Sequence, residues 1–117
     1  MIIYQKVEFD AAHRLLGYDG NCSNLHGHTW EVEIWLEGDQ LDSCGMLQDY
    51  RAIKAYFKVK FDHTCILNEK DPLKAIIRPC TGLPCNPTAE NLATIIKSDL
   101  SACKVRVWES KANYAEA

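Results

Sequence analysis

Cys22-Ser23-Asn24-Leu25-His26-Gly27-His28 places one thiol and two imidazoles within a single short stretch, which runs directly into Thr29-Trp30-Glu31-Val32-Glu33-Ile34-Trp35-Leu36-Glu37. From Trp30 onward, Trp30, Val32, Ile34 and Leu36 alternate with Glu31, Glu33 and Glu37. A period of two marks a half-buried strand. His26 and His28 share the parity of Trp30, so both imidazoles project from the apolar face of that strand. Two neutral imidazoles so spaced can bind one tetrahedral zinc ion. Gly27 between them carries no side chain, which leaves room for another backbone or a substrate to come close.

Working outward, the first apolar run, Ile3, Val7, Phe9 and Ala11, predicts a strand over residues 2–12, and His13 continues its odd-numbered parity. Three histidines on two adjoining strands make a three-nitrogen site with the fourth position open to water or substrate. Cys22 could instead be a fourth ligand, which would close the site and make it structural; the residues alone leave both readings open. Residues 14–25 form a loop rich in turn formers, with Gly17, Asp19, Gly20, Asn21, Ser23 and Asn24. At that length it is a candidate functional loop rather than a hairpin turn.

Composition narrows the function classes. A chain of 117 residues with 47% hydrophobic and 25% charged content predicts one globular domain over residues 1–117. A net charge of −3 gives no basic footprint for nucleic acid, and no apolar run is long enough to span a bilayer. Met1-Ile2-Ile3-Tyr4-Gln5-Lys6 has no signal-peptide architecture, which predicts a cytoplasmic protein. In that compartment the six cysteines read as thiols, ligands or nucleophiles rather than disulfides. Cys80 and Cys85 have a loose metal-like spacing, but no second pair accompanies them.

Asp49 predicts a helix cap, with Tyr50, Ile53, Phe57 and Phe61 at helical spacing behind it. Residues 62–86 are too long for an idle connection and are expected to hold short structure or to line a site. A second helix starts at Asn86-Pro87-Thr88, capped by Asn86 or by Thr88, with Leu92, Ile95, Ile96 and Leu100 as its apolar stripe. Val105, Val107 and Glu109 then alternate with Arg106 and Trp108 as a third strand, and residues 113–117 add a short fourth. A carboxylate on the valine face must sit at the strand end or be paired. The expected fold is α+β: an antiparallel four-stranded sheet with two helices on one face, in the order strand, strand, helix, helix, strand, strand.

His13, Cys22, His26-Gly27-His28, Asp62-His63, Pro87-Thr88-Ala89-Glu90-Asn91 and Glu109, taken in this order, resemble the blocks of the 6-pyruvoyl-tetrahydropterin synthase superfamily. Phe9-Asp10-Ala11-Ala12-His13-Arg14-Leu15, Gly45-Met46-Leu47-Gln48-Asp49-Tyr50 and Val107-Trp108-Glu109-Ser110 extend the likeness over nearly the whole chain, although Ser110 stands where threonine is common. Three residues between the cysteine and the His-Gly-His resemble the bacterial 6-carboxytetrahydropterin synthase branch of queuosine-precursor synthesis. Pyruvoyl-forming members typically carry a longer spacer.

The resemblance implies the tunnelling fold and a homo-oligomer, commonly a hexamer, with sites between subunits. It implies zinc on His13, His26 and His28, a catalytic Cys22 working with Asp62 and His63, and substrate binding by Glu109 and Thr88. The implied substrate is 7,8-dihydroneopterin triphosphate. The implied products are 6-carboxy-5,6,7,8-tetrahydropterin, acetaldehyde and triphosphate; a pyruvoyl-tetrahydropterin synthase and a zinc-stabilised binding module without chemistry are the other readings. Arg14, beside a ligand, is either a contact for the triphosphate or a surface charge. Taken alone, Asp62-His63 is more often a plain loop pair and Glu109 more often a strand-end salt bridge.

Overall fold

The computed structural model describes residues 1–117. Two long strands, β1 (Ile2–His13) and β2 (His26–Glu37), pair antiparallel along their whole length. Helix α1 (Tyr50–Lys60), the short strands β3 (Thr64–Asn68) and β4 (Cys80–Leu83), helix α2 (Ala89–Leu100), and strands β5 (Lys104–Trp108) and β6 (Tyr114–Glu116) follow. The sheet runs β4-β3-β1-β2-β5-β6. The β1–β2, β2–β5 and β5–β6 pairs are antiparallel, while β1–β3 and β3–β4 are parallel.

The expectation of a four-stranded antiparallel sheet is therefore corrected to a six-stranded mixed one. The two added strands lie inside residues 62–86. Cys65, Ile66 and Leu67 are all buried. Ile66 joins the core beneath the helices, and the 3-10 turn Pro72–Ala75 packs near β3. A strand covered on both faces reads as a continuous apolar run and loses the alternation that identified β1 and β2. β4 has four residues, bounded by Pro79 and Pro84, and is too short to show any period.

Both helices lie on one face, as expected: α1 over β1, and α2 over β5 and β6. Asp49 caps α1 by accepting the Arg51 N–H at 2.8 Å, and α1 turns Ile53 and Phe57 inward. Phe9, Phe57 and Phe61 form an aromatic cluster with ring centroids 5.5–6.1 Å apart. The choice of cap for α2 falls to Thr88, whose hydroxyl accepts the Asn91 N–H at 3.2 Å. The core of 19 buried residues includes the apolar faces of β1, β2 and β5.

Two edges of the sheet bear on function. Within β1, only Ala11, Ala12 and His13 pair with β3, so the rest of β1 keeps one edge without a strand partner. β6 forms the far edge of the same sheet.

Candidate metal centre and its surroundings

The β1–β2 register sets Phe9 opposite Trp30, Ala11 opposite His28 and His13 opposite His26. Since side chains alternate across a strand, this register puts all three imidazoles on the helix-covered face, beside the fully buried Trp30. A slip of one residue would turn them to the other face. His13 Nε2 and His26 Nε2 lie 3.1 Å apart. One ring nitrogen from each of the three histidines falls within 4.8 Å of the other two.

Both outer nitrogens are engaged. His13 Nδ1–H donates to the Pro87 carbonyl at 2.7 Å, and His26 Nδ1–H donates to the Asn24 carbonyl at 2.6 Å. In these tautomers each Nε2 presents a lone pair, and the two lone pairs face one another. His28 Nε2 is buried without a hydrogen-bond partner; its nearest charged neighbour is Glu109 Oε1 at 3.4 Å. Burial pushes the pKa of His13 and of His28 below the ordinary value of 6.5, which keeps both neutral and able to ligate near pH 7. Converging lone pairs and an orphaned buried nitrogen fit a cation. Two nitrogens on one tetrahedral zinc would stand about 3.3 Å apart for bonds near 2.05 Å, close to the spacing between His13 and His26.

Cys22 sits half-buried on the 3-10 turn Asn21–Ser23 and is not part of the three-histidine group. None of the six cysteines is disulfide-bonded. The Leu15 N–H donates to the Cys22 carbonyl at 2.9 Å, so the loop folds back on the end of β1. Leu16 is pinned by Asn86, whose Oδ1 accepts the Leu16 N–H at 3.0 Å and whose Nδ2 donates to the Leu16 carbonyl at 2.9 Å. Asn86 and Pro87 thus orient the thiol loop and His13 together. The sequence marked Asn86 only as a possible helix cap.

Arg14 is ion-paired within the chain and is not a free surface charge. Its guanidinium donates to Asp71 at 2.5 and 2.7 Å, and the Asp71 side chain is fully buried. This pair fastens the end of β1 to the turn after β3.

Glu109 follows β5 on the helix-covered face and is paired, its carboxylate beside the His28 ring. It lines a 160 Å³ pocket with Ala89, Asn113 and Tyr114, immediately beyond the Thr88 cap. That pocket is smaller than the roughly 300 Å³ at which ligand sites begin.

Asp62 and His63 form a separate cluster with Asp10. The backbone bends there: His63 has φ +56°, in the left-handed region, and Asp62 Oδ1 accepts the Asp10 N–H at 3.1 Å. The His63 side chain is 80% exposed and borders a shallow hollow shared with Asp10, Ala12, Gly27 and Thr29, which parity puts on the uncovered face of the sheet, and with Ala11 and His28, which belong to the other face. Gly27 has no close neighbour within the chain; a Cβ there would meet the Ala11 carbonyl at 3.7 Å.

Over residues 2–117 the sequence matches the family described as 6-pyruvoyl tetrahydropterin synthase. The chain belongs to that family. A 6-carboxy-5,6,7,8-tetrahydropterin synthase from Rickettsia felis is 38% identical over 82% of this chain and 77% of its own length. The protein of the same name from Haemophilus influenzae is 33% identical over 97% of this chain and 96% of its own. Among solved structures, the Caenorhabditis elegans 6-pyruvoyl tetrahydropterin synthase superposes with a TM-score of 0.69 at 22% identity, covering 100% of this chain and 94% of that one. An uncharacterized protein from Wolinella succinogenes superposes with a TM-score of 0.74 at 20% identity, covering 100% and 97%. These two likenesses are of fold. Membership of the tetrahydropterin synthase family makes the chain an enzyme, and no helix in it is long and apolar enough to cross a membrane.

Proposed function

We propose that this member of the family is a zinc-dependent 6-carboxytetrahydropterin synthase. It converts 7,8-dihydroneopterin triphosphate to 6-carboxy-5,6,7,8-tetrahydropterin with release of acetaldehyde and triphosphate. The observation that carries the reading is the convergence of His13, His26 and His28 beside the Glu109 carboxylate, on a chain whose thiol is separated from His26 by only three residues.

His13, His26 and His28 hold the zinc, which supplies Lewis acidity toward the hydroxyls of the substrate side chain. Glu109 accepts two parallel N–H bonds from the pterin 2-amino group and ring, as carboxylates do from guanidinium. Thr88, next in sequence to Ala89 of that pocket, supplies a hydroxyl for the substrate; its oxygen accepts from Asn91 and its proton is free to be donated. Cys22, as thiolate, takes a proton from a side-chain carbon, and His63, held by Asp62, carries a proton on the opposite side. The four residue steps from Cys22 to His26 span at most about 14 Å when extended, which ties the thiol near the metal. This close tether favours the carboxy product.

His63 belongs to a cluster at the edge of β1, separate from the three histidines, so the site is completed by a second copy of the chain in a homo-oligomer. The unpartnered edge of β1 and the outer edge of β6 are the complementary edges available for such pairing. Edge-to-edge addition would carry the His63 of one copy toward the Glu109 of the next and enlarge the small pocket there. A hexamer and cytoplasmic queuosine-precursor synthesis complete the reading.

The test is incubation of zinc-loaded protein with 7,8-dihydroneopterin triphosphate, with mass analysis of the pterin and a coupled acetaldehyde-reducing assay. Acetaldehyde in step with 6-carboxytetrahydropterin is expected. Pyruvoyl-tetrahydropterin without acetaldehyde would assign the pyruvoyl reaction, and bound but unchanged pterin would assign a binding module.

A further inference from the structure

The loop that carries Cys22 is held by one side-chain amide. No residue from Arg14 to Leu25 is buried, so packing does not fix the loop. Its internal hydrogen bonds are local. Ser23 and Asn24 donate their N–H groups to the carbonyls of Gly20 and Asn21, and the Leu15 N–H closes on the Cys22 carbonyl at 2.9 Å. At the far stem, His26 Nδ1–H holds the Asn24 carbonyl. From Leu15 to Leu25, the hydrogen bonds that reach beyond the loop and its stems are the two made by Asn86.

Asn86 meets Leu16 as a neighbouring strand would. Its Oδ1 accepts the Leu16 N–H at 3.0 Å and its Nδ2 donates to the Leu16 carbonyl at 2.9 Å. Two opposed bonds to one residue fix the orientation of the backbone as well as its position. Leu16 adjoins Leu15, which in turn holds Cys22. Asn86 is itself anchored. Its carbonyl accepts the Thr88 N–H and the Asn91 side-chain amide, both at 2.9 Å, at the start of α2. The next residue is Pro87, whose carbonyl accepts His13 Nδ1–H at 2.7 Å. One dipeptide therefore holds a metal-capable histidine through a backbone atom and the thiol loop through a side chain.

We propose that Asn86 is a positioning residue for Cys22: its side-chain amide sets where the thiol stands relative to the three histidines. The role rests on the reading of Cys22 as the base. Without the amide, the loop stays tethered at both stems, but the thiol loses its register with a substrate held at the metal. A misplacement of about 1 Å can cost about 100-fold in rate. The metal site is spared, because every substitution at position 86 leaves the Pro87 carbonyl in place.

The test removes the amide and keeps the backbone. Asn86→Ala is expected to lower kcat about 100-fold, with KM and zinc content at wild-type values. Asn86→Asp keeps an acceptor for the Leu16 N–H, loses the donor, and is expected to fall between. It also carries the comparison if Asn86→Ala does not fold. Two readouts need no substrate. Backbone amide exchange, followed by NMR on zinc-loaded protein, should quicken at Leu15 and Leu16 while the amides of β1 and β2 keep their protection. Iodoacetamide labelling of Cys22, quantified on its peptide by mass spectrometry, should speed up several-fold, since the thiol is half-buried only while the loop is held. Unchanged exchange at Leu15 and Leu16, or unchanged labelling of Cys22, would overturn the proposal. So would wild-type kcat in Asn86→Ala, or a loss of zinc in step with kcat, which would make the amide a support of the metal site instead. If the wild type turns over no pterin, the proposed function fails, and exchange and labelling still decide whether Asn86 places the thiol.

Discussion

Replacing His28 by alanine should weaken the coupling of the protein's stability to zinc. The structure offers three nitrogen donors, and His28 Nε2 has no partner other than the Glu109 carboxylate at 3.4 Å. Apparent binding energies of structural zinc sites run to about 10–16 kcal/mol for four ligands, or about 3 kcal/mol per donor, so the loss of one imidazole weakens binding about 100-fold. At free zinc 1,000 times the wild-type Kd, linkage stabilises the wild type by about 4 kcal/mol and the variant by only about 1.4 kcal/mol. For a chain of this length each kcal/mol moves Tm by about 3–4 °C. Zinc should therefore raise Tm by about 12–16 °C in the wild type and by about 4–6 °C in His28→Ala. In metal-free protein the variant should lose little stability, since it removes a buried nitrogen that nothing satisfies. The assay is differential scanning fluorimetry across a buffered zinc series, with metal content measured in parallel. A His28→Ala protein that keeps the full zinc-induced shift and one zinc per chain would refute ligation by His28.

Three further outcomes are expected. Cys22→Ala should keep the wild-type zinc shift while turnover collapses; loss of zinc in that variant would instead mark a closed, four-ligand site. Subunits carrying Cys22→Ala and subunits carrying His63→Ala, each inactive alone, should on mixed refolding regain about a quarter of wild-type activity if every site draws on two copies, and none if each site lies within one chain. Arg14→Ala should cost about 2–3 kcal/mol, less than the roughly 3–5 kcal/mol for breaking a wholly buried pair, because the Arg14 side chain is 24% exposed. The Arg14 hydrogen bonds hold the Asp71 carboxyl below its ordinary 3.8, so the pair's contribution is complete above that value and is lost as the pH falls through the lowered one. Urea unfolding between pH 6 and 3 should show a shallower acid decline in Arg14→Ala than in the wild type, and KM for the pterin should not change.

The local chemistry was legible because it repeats at the period of the backbone. Alternation in Trp30, Val32, Ile34 and Leu36, and in Val7, Phe9 and Ala11, set the buried faces of β1 and β2. The same parity places His13, His26 and His28 together. Asp49, Thr88 and the stripes of α1 and α2 were readable for the same reason: caps and helical faces are written within a few residues. What needed the tertiary structure was whatever depends on partners far along the chain. β3 is covered on both faces and shows no alternation, so its parallel pairing with β1 could not be seen. Arg14 has a partner 57 residues away, and Asn86 ties down Leu16 from 70 residues away. The place of the Asp62–His63 pair was decided there too. The left-handed turn at His63 and its bond to the Asp10 carbonyl hold the Asp62–His63 pair at the edge of β1, in a group separate from the metal-capable histidines. Residue spacing carries no information about that placement, because it is set by which strand edge the chain meets when it returns.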